Sequence, residues 1–154
     1  MRGQGKGVMK VAQEKLGQLN LSQLSAITTQ TQFEAWLDRQ TERLLDRFPI
    51  KNRPWGAARK ALNLFLRDCL YNRYICTTYK LNRLERWLEI PLDSVVSKEL
   101  REDTQQTILR WPGLKYLKKP VSNRYQEAAS SLSRKRGISR VHLDVELWLK
   151  NRNK

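Results

Sequence analysis

Between residues 57 and 70 the apolar positions Ala57, Ala58, Ala61, Leu62, Phe65, Leu66, Cys69 and Leu70 fall three and four apart, the spacing of one helical face. They predict one helix from 57 to about 79, entered through a polar turn, IKNRPWG at 50–56, in which Pro54 biases Arg53 away from helical backbone. Upstream, Phe33, Trp36, Leu37, Leu44, Leu45 and Phe48 line a helix that starts at Thr31, where Thr31-x-x-Glu34 has the form of a capping box, and ends at Pro49. Downstream, Leu84, Trp87 and Leu88 predict a short helix over 82–89, stopped by Ile90-Pro91, after which Asp93 opens a helix over 94–101. The segment 102–110 is polar and helical in character, and Trp111-Pro112-Gly113 is a turn. Tyr125, Ala128, Ala129 and Leu132 predict a helix over 122–136 with Gly137 as its stop. Ser139 caps a final helix carrying Val141, His142, Leu143, Leu147 and Trp148.

No period-two alternation is long enough to require a sheet, so the expected fold is all-α, a compact multi-helix domain. Residues 1–30 are weakly patterned: a glycine-rich basic start, one helix around 8–16, then a stretch rich in Ser, Thr and Gln. They divide off as an N-terminal arm and short helix, leaving 31–154 as the main domain. The first few residues read either as a basic arm touching phosphates or as a loose terminus.

Charge narrows the function. Thirty Lys and Arg against 15 acids give a net charge of +15 and a pI near 10.3, the footprint of a nucleic-acid binder or of a protein that associates with polyanions generally. The excess is uneven, because residues 115–154 hold eleven basic and three acidic residues, a net +8. Two cysteines and one histidine cannot build a zinc site or an iron–sulfur cluster, so no metal is expected, and reduced thiols fit an intracellular chain. No run of 18 apolar residues occurs, and the N-terminus lacks the apolar stretch of a secretory signal. A soluble protein of the cytoplasm and nucleoid, or of a nucleus, is the expectation, with no membrane partner.

Lys60 and Asn63 lie off the apolar stripe near the start of their helix. The free N–H groups of that helix end suit a phosphate, and Lys51, Arg53 and Arg59 surround it with positive charge. Read alone, Lys60 is a solvent-facing or phosphate-binding lysine, and Asp93 is an N-cap that satisfies orphan N–H groups. The Tyr71, Arg73, Tyr74 and Tyr79 run suits either the rim of a core or base stacking.

The segments GAARKALNLFLRD at 56–68 and IPLDSVVSKEL at 90–100 resemble the helix–hairpin–helix DNA glycosylases, in particular the archaeal 8-oxoguanine glycosylase/lyase branches. Ala58 stands where the family hairpin carries its second glycine. The resemblance implies a helix–hairpin–helix motif in which Lys60 is the amine nucleophile and Asp93 its carboxylate partner. It implies DNA contacts at Lys51, Asn52, Arg53, Gly56 and Arg59, and a base pocket drawing on Trp148 and His142. It further implies a monomer that acts on double-stranded DNA without a cofactor and excises a damaged base, an oxidised purine, through a lysine Schiff base. Two other readings stay open: a non-catalytic basic helix–hairpin–helix DNA-binding protein, and a basic helical RNA-binding protein. Without the resemblance, His142 reads as a satisfied structural residue and Trp148 as core.

Overall fold

The strong helical periodicities all become helices, and the computed structural model, which describes residues 5–49, 53–104 and 110–152, contains no strand among them. In chain order the helices are α1 (Val8–Gly17), α2 (Gln30–Leu45), α3 (Trp55–Tyr71), α4 (Arg73–Tyr79), α5 (Ser94–Thr104), α6 (Lys119–Arg136) and α7 (Leu143–Arg152). Three 3-10 segments, Leu21–Ala26, Leu81–Trp87 and Arg140–His142, join them.

Helix α3 sits between three apolar clusters. Its first turns, Ala57, Ala58 and Ala61, pack with Val8, Ala12 and Leu44 of α1 and α2. Its later residues Leu62, Leu66 and Cys69 join Phe33, Trp36 and Leu37 of α2 in the largest cluster. A third cluster, around Tyr125, Leu100 and Leu143, ties α5, α6 and α7 together. Small alanines at the start of α3 let α1 and α2 approach closely, whereas the leucines that follow fill the wider space beside α2. Val8, Leu24 and Ile27 are buried with residues of the 31–154 region, so the N-terminal helix and the 3-10 segment after it belong to the same packed body.

Local chemistry moved several boundaries. The predicted 57–79 helix is two, because Asn72 leaves helical backbone and its side chain accepts a hydrogen bond from the Ile75 N–H, starting α4. That separates Cys69 from Cys76 and leaves them on different helices. The capping box lies two residues before the predicted one: Thr29 caps α2 and Gln32 reaches back to it. The predicted 82–89 helix is the 3-10 segment Leu81–Trp87, and Ser139 precedes a 3-10 turn, its hydroxyl donating to Glu85 and accepting no N–H from the helix end. Gly137 ends α6 in the left-handed conformation, φ 67°, which a residue with a Cβ adopts only with strain.

Candidate functional site

Two turns after its start, α3 presents Lys60 to the mouth of α5. The Lys60 ammonium donates to Asp93 Oδ2 at 2.9 Å across 33 residues of sequence. The second oxygen, Asp93 Oδ1, accepts the Val96 N–H at 2.9 Å, so the carboxylate caps α5 and holds the amine at once. The two side chains keep only 11% and 16% of their surface open, and a hydrogen bond aimed by a helix end fixes the carboxylate in place.

Arg59, one residue earlier, is not the surface DNA contact expected of it. It is 4% exposed and each of its three nitrogens has a partner. Nε and one terminal nitrogen grip Glu89 in a bidentate pair at 2.9 Å, and the other terminal nitrogen reaches Thr41 Oγ1 at 2.9 Å and Asp38 at 3.1 Å. The guanidinium also lies over the Trp55 ring, 5.4 Å from its centroid. The 100° turn per residue of a helix sends neighbouring cations to different surroundings, and Arg59 points inward. Asn63 joins the same network by donating Nδ2 to Glu89. Its Oδ1 is a buried acceptor without a partner among the described residues, beside Lys60 in a narrow seam between α3 and the start of α6.

Gly56 is likewise no open approach for a phosphate. A Cβ there would stand 2.5 Å from the Leu114 carbonyl oxygen and 2.6 Å from Leu117 Cβ, so the missing side chain admits the 114–117 segment. Arg53 is exposed and pairs with Asp46 at 2.7 Å. Lys51 and Asn52 lie outside the described residues.

A recess of about 300 Å³ opens between α3 and α7, bounded by Arg67, Asp144, Val145, Trp148 and Arg152. Arg67 is two turns from Lys60, on the same face of α3. It pairs with Asp144 and with the neighbouring Asp68. Burial pushes the Asp144 carboxyl above the usual range, Arg67 pulls it back, and the charges of Asp93 and Lys60 act on it in opposite directions. Neither Lys60 nor Asp93 lines this recess. Trp148, expected as core, is 45% exposed and forms a wall of this recess. Neither Arg67 nor Asp144 was singled out in the sequence. The available signals were an acid inside the apolar run Val141–Leu147 and a cation at i+7 from Lys60.

His142 does not line the recess. Its Nε2 donates to Glu85 Oε1 and its Nδ1 accepts from the Tyr71 hydroxyl, both at 2.9 Å, a tautomer assigned because the Glu85 carboxylate can only accept. The His142 and Ser139 hydrogen bonds outweigh partial burial and hold the Glu85 carboxyl below its ordinary range. The unit ties the end of α3 to the last 3-10 turn. A larger cleft, about 460 Å³ between α2 and α6, is floored by the Arg59 network and does not include Lys60.

The thiol of Cys69 is pushed up to about 11, first by burial and then by Asp68, which makes it inert. Among the described residues no cluster of three or more His, Cys, Asp or Glu is placed to hold a metal, and no helix is long and apolar enough to cross a membrane. No protein-family model matches the chain, and neither a curated protein nor a solved structure does.

Proposed function

We propose that the protein is a DNA base-excision glycosylase with lyase activity, in which α2 and α3 act as a helix–hairpin–helix and Lys60 is the nucleophile. The observation that carries this reading is the Lys60–Asp93 contact, an amine and a carboxylate from distant segments meeting at 2.9 Å with little exposure; a recess walled by Trp148 opens about two turns further along α3, at Arg67. The net charge of +15 supports a polyanionic substrate.

The chemistry runs as follows. A damaged nucleotide is extruded from the duplex, at a cost of a few kcal/mol that a poorly stacked lesion lowers, and its base enters the recess against Trp148. Asp93 takes a proton from the Lys60 ammonium along their hydrogen bond. The Nζ lone pair then forms a bond to the sugar C1′, and the glycosidic bond breaks, its electron pair leaving with the base, which is protonated. Ring opening and loss of the second Nζ proton produce an iminium. Removal of a C2′ proton then expels the 3′ phosphate and cuts the strand. Asp93 stabilises positive charge on the sugar and returns the proton. Oxidised purine follows from the resemblance at 56–68 and 90–100.

One observation favours the non-catalytic alternative: Asp93 caps α5, so the pair also works as a tether between two helices. Borohydride trapping separates the two. Wild-type protein should cross-link to a duplex carrying an 8-oxoguanine or abasic site under reduction, and Lys60→Gln should not. Absence of any cross-link, or an undiminished one in Lys60→Gln, leaves only a basic DNA-binding protein.

A further inference from the structure

A second cleft, about 400 Å³, lies between α1 and α2, and the reading of Lys60 makes no use of it. Its rim carries Lys15 from α1, Arg43 from α2 and Arg47 from the turn after α2. Its acid, Asp46, is drawn off by Arg53, and the three cations have no acidic partner among the described residues. Arg39 and Arg43 set like charges four residues apart on α2, an arrangement that costs a helix about 0.2–0.5 kcal/mol, and Arg47 adds a further cation in the turn that follows. Preference for cations at helix ends accounts for Lys15 and Arg43, each in a last turn, but not for Arg39.

The floor is of a different kind. Leu16 and Leu44 supply apolar surface. Gln40 is only 7% exposed, and its amide lines the cleft with no hydrogen-bond partner among the described residues. That amide faces the solvent of the cleft, where a ligand would find a donor and an acceptor side by side.

We infer that this cleft binds a nucleoside phosphate: phosphate on Lys15, Arg43 and Arg47, base against the leucines, and a base edge on the Gln40 amide. The ligand is either a free nucleotide or one unit of a nucleic-acid strand. The site lies on the flank of α2 away from Asp38 and the Arg59 network, about 140° around the helix from Asp38 to Arg43. It is independent of Lys60 and stands whether or not the glycosylase reading does.

The test is titration of the full chain with a nucleoside monophosphate, with a 5′-phosphorylated oligonucleotide and with inorganic phosphate. Affinity is read by calorimetry, and position by the backbone and Gln40 side-chain amide resonances. Arg43→Glu with Arg47→Glu should weaken nucleotide binding at least tenfold, Gln40→Ala should weaken it several-fold, and Lys60→Gln should leave it unchanged. The arginine variants change exposed side chains, whereas Gln40→Ala and Lys60→Gln change buried or mostly buried ones, and a matching circular-dichroism spectrum establishes that each variant folds. Equal affinity for the monophosphate and the oligonucleotide assigns a free nucleotide, whereas tighter, strongly salt-dependent oligonucleotide binding assigns a strand. Unchanged affinity in the double variant, resonance shifts confined to other parts of the chain, or inorganic phosphate bound as tightly as the nucleotide overturns the inference.

Discussion

Arg59 and Lys60 are neighbours on one helix with the same formal charge, and the molecule treats them in opposite ways. Arg59 is sealed: two carboxylates, a hydroxyl and an indole ring meet a planar fork, and every nitrogen has a partner. Lys60 meets one carboxylate that is shared with a helix cap and keeps a little of its surface open. A saturated cation braces a structure, whereas one with a single partner and a path to solvent can exchange that partner for a substrate. The same contrast separates Glu89, which accepts from Arg59 and Asn63, from Asp93.

The comparison can be broken at several points. The largest effect should come from Arg59→Met, which leaves Glu89 buried without its cation. About 3–5 kcal/mol should be lost, read from urea denaturation, and a loss below about 1 kcal/mol would mean that the network is not a brace. Lys60→Met should cost only about 1–2 kcal/mol, since Asp93 retains its cap and some contact with water, so the ratio of the two losses measures the contrast directly.

Gly56→Ala should cost about 1–3 kcal/mol through the collision with Leu114 and Leu117, seen as a lowered melting temperature. An unchanged melting temperature would reopen position 56 as a place of phosphate approach. Asp93→Asn keeps a good N-cap but lacks the carboxylate that accepts the Lys60 proton. It should therefore abolish borohydride trapping while shifting stability by about 1–2 kcal/mol, and full trapping would remove Asp93 from the chemistry.

The smallest effect concerns Glu85, whose folded carboxyl titrates below its ordinary value of 4.5. A lowered carboxyl contributes stability above that ordinary value and loses it as pH falls through the lower folded value. Wild-type and Glu85→Gln proteins should therefore differ in melting temperature near neutral pH and converge in acid. A difference that persists below pH 3 would place the effect in packing instead of charge.

Some of the molecule was legible along the chain. Helices announced by a 3.6-residue period and a glycine stop, such as α6 with Gly137, appear where the pattern puts them, because those signals are local. The break at Asn72 and the shift of the capping box to Thr29 were missed. In both, side chains that bond to nearby backbone competed with the propensity of the surrounding residues. The burial of Arg59 was not legible, because its partners Thr41 and Glu89 lie 18 and 30 residues away. Trp148 shows the reverse error, an apolar residue taken for core that the packing of α7 leaves at the surface.

By itself the sequence determined an all-helical chain of high positive charge, because helical periodicity and ionisation are properties of near neighbours and of composition. Which cations became braces and which stayed reachable was decided only by tertiary packing. Burying a charge is tolerable solely where distant segments deliver matched acceptors, and α2, α3 and the segment before α5 deliver them to Arg59 while leaving Lys60 one carboxylate and a way out.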